Sequence, residues 1–270
     1  MTDNQDKPEP GGELARAGAR IGGAAAGGFL SAVMGPEAGA GAGQALSELG
    51  ESLVTYVLDQ RPRDRVLRVL GRAAGQVEER RAAGEEVRPE IADTESEEAA
   101  AVFEAVVDAA ARSFEEKKGE AIANFYASVA FDSSVSIPDA LLYLRRIRSA
   151  SWRQLVAMRF FESEERKEER ELIQVPLTEG DAYIHPPLGD ELSELFRALG
   201  LLGVDDGKGH VNNPSDIWDG GDAVTKTSNV RLTSLGAAVI RLSRLDEIVT
   251  AEELDEIAAE LHRETIRPRG

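Results

Sequence analysis

Apolar residues along this 270-residue chain recur mostly every three or four positions, the period that lines one face of an α-helix. Val66, Leu67, Val69, Leu70, Ala73, Ala74 and Val77 predict a helix over 62–84. Residues 85–96, EEVRPEIADTES, lack the period and predict a linker. A strong stripe then runs from about Ser96 to Phe114, with Val102, Phe103, Val106, Val107, Ala110 and Phe114 on the apolar face. The next, Glu115 to Ala130, turns Ile122, Phe125, Tyr126 and Val129 inward. Ser136, Ile137, Pro138 and Asp139 open a further helix, with proline in the first turn, where its missing N–H is no loss. Trp152 to Glu171 reads as one long helix whose end, ESEERKEERE, is a solvated extension.

After Glu171 the period changes. ELIQVPL (171–177) predicts a short strand, and Leu188–Leu202 a helix stopped at Gly203. His210–Asn212 and Val230–Leu232 predict a small ribbon around a loop rich in Gly, Asp and Asn. Thr233 is placed to cap the helix SLGAAVIRLSRL, and Thr250 with Glu253 to form a capping box for the last helix. This succession is the order of a winged-helix unit. The fold class expected is mainly α: a glycine-rich helical hairpin, a helical bundle, then a winged-helix-like α+β unit. The divisions fall at 1–13 (disordered), 14–59 (hairpin), 60–150 (bundle), 151–246 (winged-helix-like) and 247–270 (C-terminal helix).

The hairpin is the chain's most unusual stretch. Residues 14–34 and 37–59 predict two helices separated by the Gly35–Pro36 break, the second amphipathic through Leu46, Leu49, Leu53 and Val57. Gly18–Gly22, Gly23–Gly27, Gly35–Gly39 and Gly39–Gly43 are spaced four apart, and Gly28 adjoins the ladder. A glycine inside a helix costs about 0.8–1 kcal/mol relative to alanine. Close approach of helix backbones offsets that cost, most often in membranes. Yet only Ile21–Pro36 is uncharged, short of the roughly 20 residues a bilayer span needs, and Arg20 precedes it at once. Oligomerisation, triggered insertion or a buried soluble hairpin fits better than a resident span.

Charge adds two features. The net charge of −18 argues against a general nucleic-acid binder. Between 188 and 244, eight acids face six bases, so the winged-helix-like unit is expected to contact protein or pack on its own chain rather than read DNA. From Arg61 to Arg81, however, seven arginines (61, 63, 65, 68, 72, 80, 81) meet three acids. Arg61, Arg63, Arg65, Arg68 and Arg72 read equally as contacts for anionic lipid or as the wet side of an amphipathic helix. Arg145, Arg146, Arg148 and Arg153 around Trp152 could meet phosphate or an acidic partner, or pair with nearby glutamates, the reading the excess of acids favours.

Nothing in the chain implies a cofactor, a metal or a catalytic centre. Cysteine is absent, which fits a reducing compartment, and the polar, acidic residues 1–13 are unlike a secretory leader. His185, His210 and His262 have no partner at ligand spacing. Asp205, Asp206, Asp216, Asp219 and Asp222 lack the spacing of a calcium loop. GAGAG lies in an alanine-rich helical pattern, not after a strand, and no GxSxG or GxxxxGK[ST] occurs. An enzyme is not expected.

The stretch EEKKGEAIANFYASVAFDSSVSIPDALLYLRRIRSASWRQL (115–155) resembles the central block of a widespread bacterial family of uncharacterised proteins, a likeness spanning roughly 60–245. The chain also resembles, more distantly, the abortive-infection alpha family, through LGLL at 199–202 and LTSLG at 232–236. The resemblance implies a non-enzymatic role in defence against phage, in the cytoplasm with recruitment to the inner membrane, and carries over no catalytic residue. The expected partners are further copies of the chain, a membrane on occasion and another protein. The alternative is a soluble homo-oligomeric interaction or regulatory module.

Overall fold

The computed structural model describes residues 60–93, 96–172, 174–176, 191–192, 194–196, 198–205, 211–212, 224–226 and 230–266. The predicted hairpin at 14–59 and most of the loop 206–223 lie outside them. The described chain is mainly helical with a little antiparallel sheet. None of its helices is long and apolar enough to cross a membrane.

The described residues divide into two compact units that interleave in sequence: 60–113 with Tyr126–Ala140, and Phe114–Phe125 with 141–266. In the first, α1 (Gln60–Ala82) buries Val66, Val69, Leu70, Ala73, Ala74 and Val77, the positions its period predicts. It packs on α3 (Glu97–Arg112), which buries Val102, Phe103, Val106, Ala109 and Ala110 but ends before Phe114, whose ring is exposed rather than on the apolar face. The Ser96 side chain caps α3 by accepting the Ala99 N–H. The predicted linker 85–96 is not wholly irregular. Pro89 starts a one-turn helix, α2 (Pro89–Ala92), which buries Ile91 and packs on α3.

Arg88, just before that turn, is almost fully buried. Its Nη1 donates to Val135 O (2.7 Å) and Asp132 O (3.1 Å). Those carbonyls follow α4 (Glu116–Phe131), so a buried guanidinium is satisfied by backbone acceptors just beyond that helix. Arg80 lies over the Phe131 ring, 4.2 Å from its centroid. It also pairs with Glu85, whose carboxyl it draws below its ordinary value.

In the second unit, α6 (Trp152–Glu162) is the hub. Its capping box, Ser151 with Gln154, sets its start. It buries Leu155, Val156, Ala157, Met158, Phe160 and Phe161 against later helices and strands. The single long helix predicted over 152–171 is broken at Ser163, which is extended and buried. A 3₁₀ turn (Glu164–Arg166) and α7 (Lys167–Leu172) follow. Nor is ESEERKEERE merely a solvated extension. Arg170 is buried and donates to Phe161 O, so the chain doubles back.

Two small antiparallel sheets follow. β1 (Gln174–Pro176) pairs with β4 (Val224–Lys226). β2 (Leu202–Asp205) lies between β3 (Val211–Asn212) and β5 (Val230–Leu232). The segments predicted to pair with each other, 210–212 and 230–232, therefore both pair with β2. The helix predicted to stop at Gly203 ends earlier. Helical backbone at 194–196 gives way to Gly200 at φ +62°, and the Leu201 N–H reaches back to Leu195 O at 2.9 Å.

Three helices complete the unit: α8 (Ser234–Ser243), α9 (Leu245–Ile248) and α10 (Ala251–Ile266). Thr233 and the Thr250–Glu253 box cap α8 and α10 as their spacing predicts.

Candidate functional site

The sequence singles out a glycine ladder, two arginine clusters and two short motifs. The ladder glycines, Gly18 to Gly43, lie outside the described residues. The first arginine cluster is sorted by helix geometry. At about 100° per residue, positions 61, 65, 68 and 72 share an arc of about 60° on α1. That arc lies opposite the buried Val66, Leu70, Ala73 and Val77. Arg61, Arg68 and Arg72 are exposed, and Arg65 is half-buried with its Nη2 donating to Ala111 O at 2.8 Å. Arg63 points around toward the core side and is half-buried, apart from the other four. The result is a line of arginines about 17 Å long, from Arg61 to Arg72.

The second cluster is different. Arg145 and Arg148 are exposed on α5 (Ile137–Ser149), while Arg146 donates to Ala198 O at 3.0 Å. Arg153 meets Glu191 at 3.3 Å and also Glu260. Pairing with acids, the reading the composition favours, holds for Arg153. Burial pushes the Glu191 carboxyl up, against the pull of Arg153.

The residues of the 115–155 block are mostly tie points of the second unit. Lys118 is buried, and its Nζ donates to Arg148 O (2.8 Å) and Ala150 O (2.6 Å), closing the end of α5. Burial lowers its pKa. Glu115 accepts the Trp152 N–H at the start of α6. Lys117 pairs with Glu253 at 2.8 Å, and the Trp152 indole N–H donates to the same carboxylate. Asn124 donates to Ser243 O, and Gln154 to Glu194 (2.8 Å) and to Glu191 O. The charged side chains of Glu115, Lys117 and Lys118 thus bond to α6, α10 and the end of α5. No sequence signal marks such long-range partners.

LGLL and LTSLG are two halves of one joint. Leu202 and Leu232 are direct partners across β2 and β5. The Thr233 N–H donates to Leu201 O (3.1 Å), and its hydroxyl to Gly200 O (2.8 Å). Gly236 sits against the Leu201 backbone. A Cβ there would come within 3.1 Å of the carbonyl carbon and closer still to its oxygen. The motif therefore requires glycine because backbone meets backbone.

Among the described residues no group of His, Asp or Glu is arranged to hold a metal ion. Compared with models of protein families, with curated proteins and with solved structures, the chain matches none.

Proposed function

We propose that this chain is a non-enzymatic effector or sensor, of the abortive-infection kind, whose glycine-rich segment self-associates or inserts at the membrane. One observation carries the reading. Lys118, Trp152 and Gln154 of the 115–155 block and Thr233 of LTSLG are engaged in internal ties, so these signatures describe a scaffold. The glycine ladder is then the stretch whose composition a scaffold does not explain. The small sheet with α8 is read as a wing-like unit facing protein, given its slight excess of acids. The defence role itself rests on the resemblance.

The test is expression of the full chain beside a variant carrying Gly23→Leu and Gly27→Leu. Leucine at both positions would hold neighbouring helices apart. The expected outcome is loss of growth arrest and a move from the membrane fraction to the soluble one. Unchanged toxicity and fractionation would overturn the proposal. An oligomer that never floats with vesicles would favour the soluble interaction module instead.

A further inference from the structure

We infer that the exposed face of α1 formed by Arg61, Arg65, Arg68 and Arg72 is a docking surface for an anionic lipid bilayer. This rests on the membrane reading above and names the surface that would meet the headgroups.

The geometry comes first. The four arginines lie along one side of a continuous 23-residue helix, opposite its buried stripe. A straight line of charges about 17 Å long suits a flat surface, since every member reaches the same plane together. The chemistry is next. All four are arginines, whose planar guanidinium binds phosphate oxygens in pairs and sheds water more readily than an ammonium. Asp64 is the sole acid between Arg61 and Arg72. Arg65 spans both roles, with one nitrogen on Ala111 O and its stem along the face.

A protein of net charge −18 ought to be repelled by an anionic surface. At physiological salt, however, charges act over about 8 Å, so acids farther than that from the headgroups are largely screened. The same net charge opposes wrapping by a long polyanion, which would bring phosphates near many acids. The bilayer is further favoured by position in the sequence, because α1 begins 17 residues after Gly43, the last rung of the glycine ladder.

Cosedimentation of the full chain with vesicles tests this, using phosphatidylcholine alone and an equal mixture with phosphatidylglycerol. The variant carries Arg61→Gln, Arg68→Gln and Arg72→Gln, leaving Arg65 to its bond with Ala111. Arg145→Gln with Arg148→Gln serves as the control, removing exposed arginines elsewhere. Each arginine near the surface contributes about a fivefold factor, so the triple variant should bind the mixed vesicles about a hundredfold more weakly. The control should bind as the parent does, and added salt should weaken parent binding. Equal binding by the triple variant, or equal binding to phosphatidylcholine alone, would overturn the surface while leaving the glycine segment as the membrane contact. No binding to either vesicle would overturn it together with the membrane reading. Retention on double-stranded DNA, rather than on vesicles, would reassign the face to nucleic acid. Circular dichroism melting of each variant separates a lost surface from a lost fold.

Discussion

Gly236 and Gly75 show how differently two helical glycines can behave. Gly236 lies in the first turn of α8, pressed on the Leu201 carbonyl. Gly75 lies in the exposed part of α1 with nothing within 4 Å of where a Cβ would stand. Gly236→Ala must push α8 off the Leu201 backbone, and should destabilise the protein by about 1–3 kcal/mol. Gly75→Ala removes backbone freedom from the unfolded chain and should stabilise it by about 0.5–1 kcal/mol. Paired thermal melts check both, and equal shifts in the same direction would refute the packing argument. Sequence alone places both glycines in helices. Only the approach of a distant carbonyl separates them.

At the scale of elements, α10 is held to the second unit by a buried stripe (Leu254, Ile257, Ala258, Leu261) and by charged ties at its N-terminal half. Glu253 meets both Lys117 and the Trp152 indole. Burial alone would raise its carboxyl, but Lys117, the Thr250 N–H and the Trp152 indole together hold it below 4.5. A depressed carboxyl contributes stability above its unfolded value, which is lost as pH falls through the folded one. Glu253→Gln should therefore lower the melting temperature at neutral pH, and the gap from the parent should narrow as pH falls below 4.5. Melting across that range measures it, and a constant gap would sink the assignment. Glu191 has the opposite sign. Its raised carboxyl favours the fold at low pH and loses that advantage as pH rises through the folded value. The broken helix at Ser163 belongs to this scale too. Charge pattern predicts a wet continuation, whereas Arg170 turns inward to a carbonyl near the end of α6.

At the scale of the whole molecule, two interleaved units share α4 and α5, each helix passing from one unit to the other along its length. The arginine line of α1 belongs to the first unit, and the dense polar ties around α6 and α10 to the second. If the glycine ladder drives self-association, light scattering should give the full chain a larger mass than the Gly23→Leu, Gly27→Leu variant. Equal masses would refute that role for the ladder.

The sequence by itself determined the helices with long apolar stripes, the caps at Thr233 and Thr250, and the spacing of the arginines on α1. These follow from periods and bonds that span four residues or fewer, plus a helix face that four spacings define. Tertiary structure alone decided that β2 separates β3 from β5, that Lys118 and Arg88 are buried on carbonyls, and that Gly236 admits no Cβ. The difference is physical. Local periods specify which side of an element is apolar, but a buried cation or a strand partner is chosen by whichever backbone acceptor the folded chain brings near.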